Sequence, residues 1–114
     1  MRPEILRRLG LFLRRELGMP EEDMEAFAAL AEESLGAVFA ALKTALEAQD
    51  AAGASDAAHG LKGSLRNMGL VDLAESAREM ERLAEQGEFA ACREKAVAIE
   101  DELGLATTTQ KDGL

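Results

Sequence analysis

Tryptophan and tyrosine are absent from this chain of 114 residues, and only four phenylalanines carry aromatic character. With alanine, leucine and glutamate abundant instead, this is the composition of a helix bundle. Cysteine occurs once, at Cys92, so no internal disulfide can form and nothing argues for an oxidising compartment. Cys92 falls on an apolar helix stripe and reads as packing. Positive charge is outnumbered, 13 Lys and Arg to 22 Asp and Glu, and the resulting net charge of -9 argues against a nucleic-acid partner. No apolar run approaches the length of a membrane span, and the charges in the first segment break any signal-peptide core. The expectation is a cytoplasmic monomer without membrane contact. No zinc-type spacing, phosphate-cradling glycine loop, Ser/His/Asp set or nucleotide site is visible, so the chain is no kinase on its own.

The helices follow from punctuation and periodicity. Pro3 to about Leu17 places Ile5, Leu6, Leu9, Phe12 and Leu13, with Leu17 as a further candidate, on one face and Arg2, Arg7, Arg8, Arg14 and Arg15 on the other. This segment carries +3 of a chain whose total is -9. Such a helix could lie on a membrane or in a partner's groove, but packing across the end of a bundle is the commoner role. Gly18-Met19-Pro20 breaks it, and Pro20 at N1 followed by Glu21, Glu22 and Asp23 opens a long helix to about Gln49, on the order of 40 Å. Its stripe is Met24, Phe27, Ala31, Leu35, Val38, Leu42 and Ala45. Residues 50 to 56 are small and polar and read as a turn, with Ser55 or Asp50 as N-cap of the next helix. That helix ends at Gly69, a fourth runs from near Leu70 to Gln86, and a fifth from Glu88 to Leu103.

The expected fold is therefore all-α: an antiparallel up-and-down four-helix bundle over residues 19–104, capped at one end by a short helix in residues 1–18. Residues 105–114 read as a mobile tail.

The only histidine, His59, lies in the third of these helices. Ala58, Leu61, Leu65 and Met68 cluster within roughly 80° on a wheel and form its buried stripe, leaving His59, Lys62, Gly63 and Arg66 on the other side. Glycine in a helix interior costs about 1 kcal/mol relative to alanine, so Gly63 suggests access for something large. His59 lies roughly 15 Å above the Gly69 turn, and Glu81 returns at a similar height on the following helix. A Glu81 carboxylate accepting Nδ1–H would fix the tautomer and leave Nε2 as a nucleophile. Lys62, one turn on, is placed to steady phosphoryl charge, with Arg66 and Arg78 as weaker binding candidates. A lone exposed histidine on an acidic bundle usually has no function. Arg66, Arg78 and Arg82 read first as solvated charges or i,i+4 partners. The register of His59 with Lys62, Gly63, Gly69 and Glu81 is what shifts the reading.

At these residues the sequence resembles the histidine-containing phosphotransfer (HPt) domains of two-component relays. The family pattern stands here as His59-Gly60-Leu61-Lys62-Gly63-Ser64, then Gly69, Leu73 and Met80-Glu81, with Gly60 a small departure from the usual larger residue. The resemblance spans about Glu21 to Leu103. It implies a bundle that takes a phosphoryl group onto His59 from an aspartyl phosphate on one receiver domain and passes it to another. The partners implied are receiver domains of hybrid sensor kinases and response regulators, with no cofactor of its own and magnesium supplied by the receiver. The alternative is a non-catalytic helical adaptor that binds receivers without carrying phosphate. A third reading, less suited to a free-standing chain of this length, has a kinase catalytic domain act directly on His59.

Overall fold

The computed structural model describes residues 1–105, all of whose regular structure is helical. The helices are α1 (Pro3–Leu17), α2 (Glu21–Glu47), α3 (Ala51–Asn67), α4 (Val71–Glu85) and α5 (Phe89–Leu103). Short turns force α2 to α5 to alternate in direction, which gives the expected antiparallel four-helix bundle.

At 27 residues, α2 is longer than α3 with 17 or α4 and α5 with 15 each. Its first turns therefore overhang the bundle. α1 folds back antiparallel along the overhang: Arg14 pairs with Glu21, and Gly10 lies against the Met24 sulfur. Its inner face, Ile5, Leu9 and Leu13, is buried. Each such side chain contributes about 2 kcal/mol. α1 also closes the lower end of the bundle, with Arg8 bonded to Asp72 at the start of α4 and the Arg2 N–H donated to Leu103 O at the end of α5. The helix thus caps one end, as its arginine-free face requires.

Gly69 shows why the turn between α3 and α4 needs glycine. Its φ is +78°, and a Cβ there would meet the Phe12 ring at 2.5 Å. The Leu70 N–H reaches Leu65 O at 2.9 Å, so the end of α3 is satisfied by the backbone itself. The turn between α2 and α3 instead places Gln49 at φ 54°, the one left-handed residue other than glycine among the described residues.

Several boundaries differ from the sequence reading, among them the end of α2, which falls at Glu47 and not near Gln49. Helix α3 begins at Ala51, so residues 51 to 56 are helical; Asp50 is the cap, accepting the Gly53 N–H at 3.0 Å. One good cap and a run of alanines are enough to outweigh a small polar composition. Pro20 is the N-cap residue of α2, one position before N1, with Glu21 the first helical residue. Leu105, assigned to the tail, is buried, and its N–H bonds to Glu100 O. The remainder of the expected tail lies outside the described residues.

The core is continuous from Leu9 and Leu13 of α1 through Leu35, Phe39 and Leu42 to Leu61, Leu65, Met80, Cys92 and Leu103. Phe39 and Leu46 belong to it although they lie outside the single α2 stripe, because α2 is covered by α3 on one side and α5 on the other. One ion pair is nearly enclosed: Lys43 Nζ of α2 donates at 2.9 Å to Glu100 of α5, which is 7% exposed. Removing either partner would leave a poorly hydrated charge, so the pair holds the register of α5 on α2.

Candidate functional site

Along α3, buried positions recur at Ala54, Ala58, Leu61 and Leu65. Along α4 they recur at Ala74, Ala77, Met80 and Ala84. The alanines among them let the two backbones come close, so polar side chains at the seam's edge can meet. Ser55 Oγ donates to Glu85 at 3.3 Å, and one turn below it His59 and Lys62 both engage Glu81.

His59 Nδ1 stands 3.1 Å from Glu81 Oε2, and Lys62 Nζ donates to Glu81 Oε1 at 3.0 Å. The exposures are graded: 67% for the His59 side chain, 20% for Glu81 and 19% for Lys62. A carboxylate with one oxygen tied to an ammonium cannot swing freely. Its second oxygen is held where it accepts Nδ1–H, which leaves Nε2 as the basic nitrogen on the exposed ring. Partial burial pushes the Glu81 carboxyl up, but the hydrogen bonds and charge of Lys62 and His59 outweigh it, and its pKa lies below the usual value.

His59, Lys62 and Glu81 are thus brought together, as their register along the hairpin predicts. Lys62 differs in one respect: its ammonium is already bonded to Glu81 and does not stand free beside the imidazole. Gly63, one turn from His59, is exposed, and a Cβ added there would meet nothing within 4 Å. Gly60 is open in the same way. Neither has a left-handed φ, so neither backbone conformation requires glycine. Arg66 and Arg78 are exposed and do not touch Glu81; Arg78 lies 3.6 Å from Glu75 on its own helix. The sequence pattern offers Ser55 as a cap and not as the partner of Glu85. Counting one turn up both helices from the His59–Glu81 pair finds that bond.

Cys92 is fully buried and its Sγ donates to Met80 O at 3.5 Å. Burial raises its pKa, which makes it a packing residue and a poor nucleophile. No helix among the described residues is long and apolar enough to cross a membrane.

The fold and site together define a class: antiparallel helical bundles that present one carboxylate-oriented imidazole at a glycine-lined helix surface. A family model described as the Hpt domain matches residues 25–108, and the chain belongs to that family. The family works by histidine phosphotransfer in two-component phosphorelays. No curated protein and no solved structure gives a match.

Proposed function

We propose that this chain carries a phosphoryl group on Nε2 of His59 between aspartyl-phosphate receiver domains in a multistep relay. The observation that carries the reading is the 3.1 Å approach of His59 Nδ1 to Glu81 on a ring that remains 67% exposed. In the step proposed, the Nε2 lone pair attacks phosphorus, the bond from phosphorus to the aspartyl oxygen breaks, and the carboxylate leaves with that electron pair. The ring then bears Nδ1–H and Nε2–P and is cationic. The Glu81 carboxylate stabilises the charge that develops, which a neutral acceptor would do less well. No proton has to leave, and the return transfer to a second aspartate retraces the path.

Lys62, one helical turn from His59, supports phosphoryl charge with the donors that Glu81 does not use. Gly60 and Gly63 leave the helix surface open to a receiver, with Arg66 and Arg78 as binding residues at its edge. Magnesium belongs to the receiver's acidic pocket, and the relay is cytoplasmic. The test is acid-labile, alkali-stable labelling by phosphorylated receiver domains. Wild type is labelled, and His59→Gln is not, while its helicity and unfolding midpoint stay close to wild type because the ring is exposed. Receiver binding without labelling of wild type would instead favour an adaptor.

A further inference from the structure

A second feature stands apart from His59. Between α1 and the first turns of α2 runs an open apolar groove of about 240 Å³, with Leu6, Leu9, Gly10, Leu13, Met24 and Ala28 along it and Glu25 at its rim. Leu6 is 41% exposed, and no residue from Glu21 to Ser34 of α2 is fully buried. Two helices alone cannot enclose the apolar faces they turn toward each other; four can.

The walls carry opposite charge. Arg7 and Arg14 flank Gly10 on α1 at helical spacing and are exposed. Glu25 is exposed on α2, with Glu21 one turn before it. Arg14 and Glu21 approach to 3.8 Å at one end, whereas Arg7 and Glu25 make no ion pair among the described residues.

We propose that this groove docks onto the same groove of a second copy of the chain. A groove with one basic and one acidic wall is self-complementary about one axis only. A two-fold axis along the groove places each basic wall against the partner's acidic wall. An axis across it would oppose like charges. The resulting interface is an intermolecular four-helix arrangement of two α1–α2 hairpins, with Leu6, Met24 and Ala28 at its centre. Glu25 and Lys43 are eighteen residues apart, five helical turns, so they share a face of α2. Lys43 looks to α5, so the docked face lies away from α3 and His59.

The test is sedimentation equilibrium of the full chain at low salt, from micromolar to about 1 mM, where an interface of this class has to show itself. The expected result is a dimer that weakens with added salt. Arg7→Glu and Glu25→Arg, both at exposed positions, each weaken it about tenfold, and the double variant R7E/E25R restores it by pairing the reversed walls. A chain monomeric at every concentration, or a dimer indifferent to both reversals, overturns the proposal. So does a chain monomeric in solution whose α1 binds anionic vesicles. Phosphoryl acceptance by His59 is read separately and stands or falls independently of these outcomes.

Discussion

The His59 ring and the Glu81 carboxylate meet across the α3–α4 seam with Nδ1 and Oε2 3.1 Å apart, from positions 22 residues distant in the chain. That contact converts an ordinary exposed imidazole into one with a defined tautomer. It depends on the Gly69 turn, because the height at which α4 returns past His59 is set there.

Changing Glu81 should therefore tune transfer without abolishing it. Glu81→Gln keeps an acceptor for Nδ1–H but loses the negative charge, and a modest slowing is expected. Glu81→Ala frees the tautomer and should slow transfer about fivefold, corresponding to about 1 kcal/mol for a partly exposed hydrogen bond. Rates measured by single-turnover labelling from a phosphorylated receiver should fall in that order, while receiver affinity stays unchanged.

The same carboxylate makes a signed prediction about pH. Despite partial burial its native pKa lies below the ordinary 4.5, because Lys62 and His59 favour the ionised form. A group depressed in the folded state stabilises it fully above the unfolded value and loses that contribution as pH falls through the native value. Urea unfolding of wild type and Glu81→Gln should show the full difference at about pH 5, where the carboxylate is ionised in both states. The difference should shrink below about pH 4.5. A gap that widens as pH falls below about 4.5 would contradict the assigned contacts.

Gly63 separates stability from access. Its added Cβ meets nothing within 4 Å, so Gly63→Ala should stabilise the fold by about 1 kcal/mol through helix propensity alone. Gly63→Leu should also be folded and stable, yet block transfer by standing between His59 and the receiver. A Gly63→Leu variant that is stable and transfers normally would show that the glycine is not there for access.

The sequence made the helices and the His59–Glu81 register legible because both depend on counting: 3.6 residues per turn, a fixed rise, and a glycine that marks the reversal. It left the partner of Lys62 open because a flexible four-carbon stem can reach either the phosphoryl position or the carboxylate, and only packing chooses. Phe39 and Leu46 escaped for a different reason. A stripe is drawn for a helix with one neighbour, whereas α2 has two neighbours in the bundle and α1 along its overhang. The Arg8–Asp72 contact joins residues 64 apart and depends on how α1 docks, which no local pattern states.

The two turns at opposite ends of α3 should respond oppositely to glycine chemistry. Gln49 is held at φ 54° with a side chain that the left-handed region disfavours. Gln49→Gly should raise stability by about 0.5–1 kcal/mol, after the greater freedom of glycine in the unfolded chain is deducted. Gly69→Ala combines a left-handed φ with collision against Phe12 and should cost about 2–4 kcal/mol. Thermal melts of both variants check the pair.

Lys62 presents the sharpest question, because its bond to Glu81 allows two routes to the same phenotype. If it acts only by holding the carboxylate, Lys62→Ala slows transfer in the wild-type background and does nothing once Glu81→Ala is present. If its remaining N–H donors steady the phosphoryl group, the loss persists in the Glu81→Ala background. The ammonium has three donors and a single carboxylate oxygen engages one of them, so a second can turn toward a group arriving on Nε2 one turn away. The expected outcome is a loss on the order of tenfold in both backgrounds, the size of a charge-stabilising contact. Near-complete non-additivity in this double-mutant cycle would make Lys62 a positioning residue and leave stabilisation of the phosphoryl charge to the receiver.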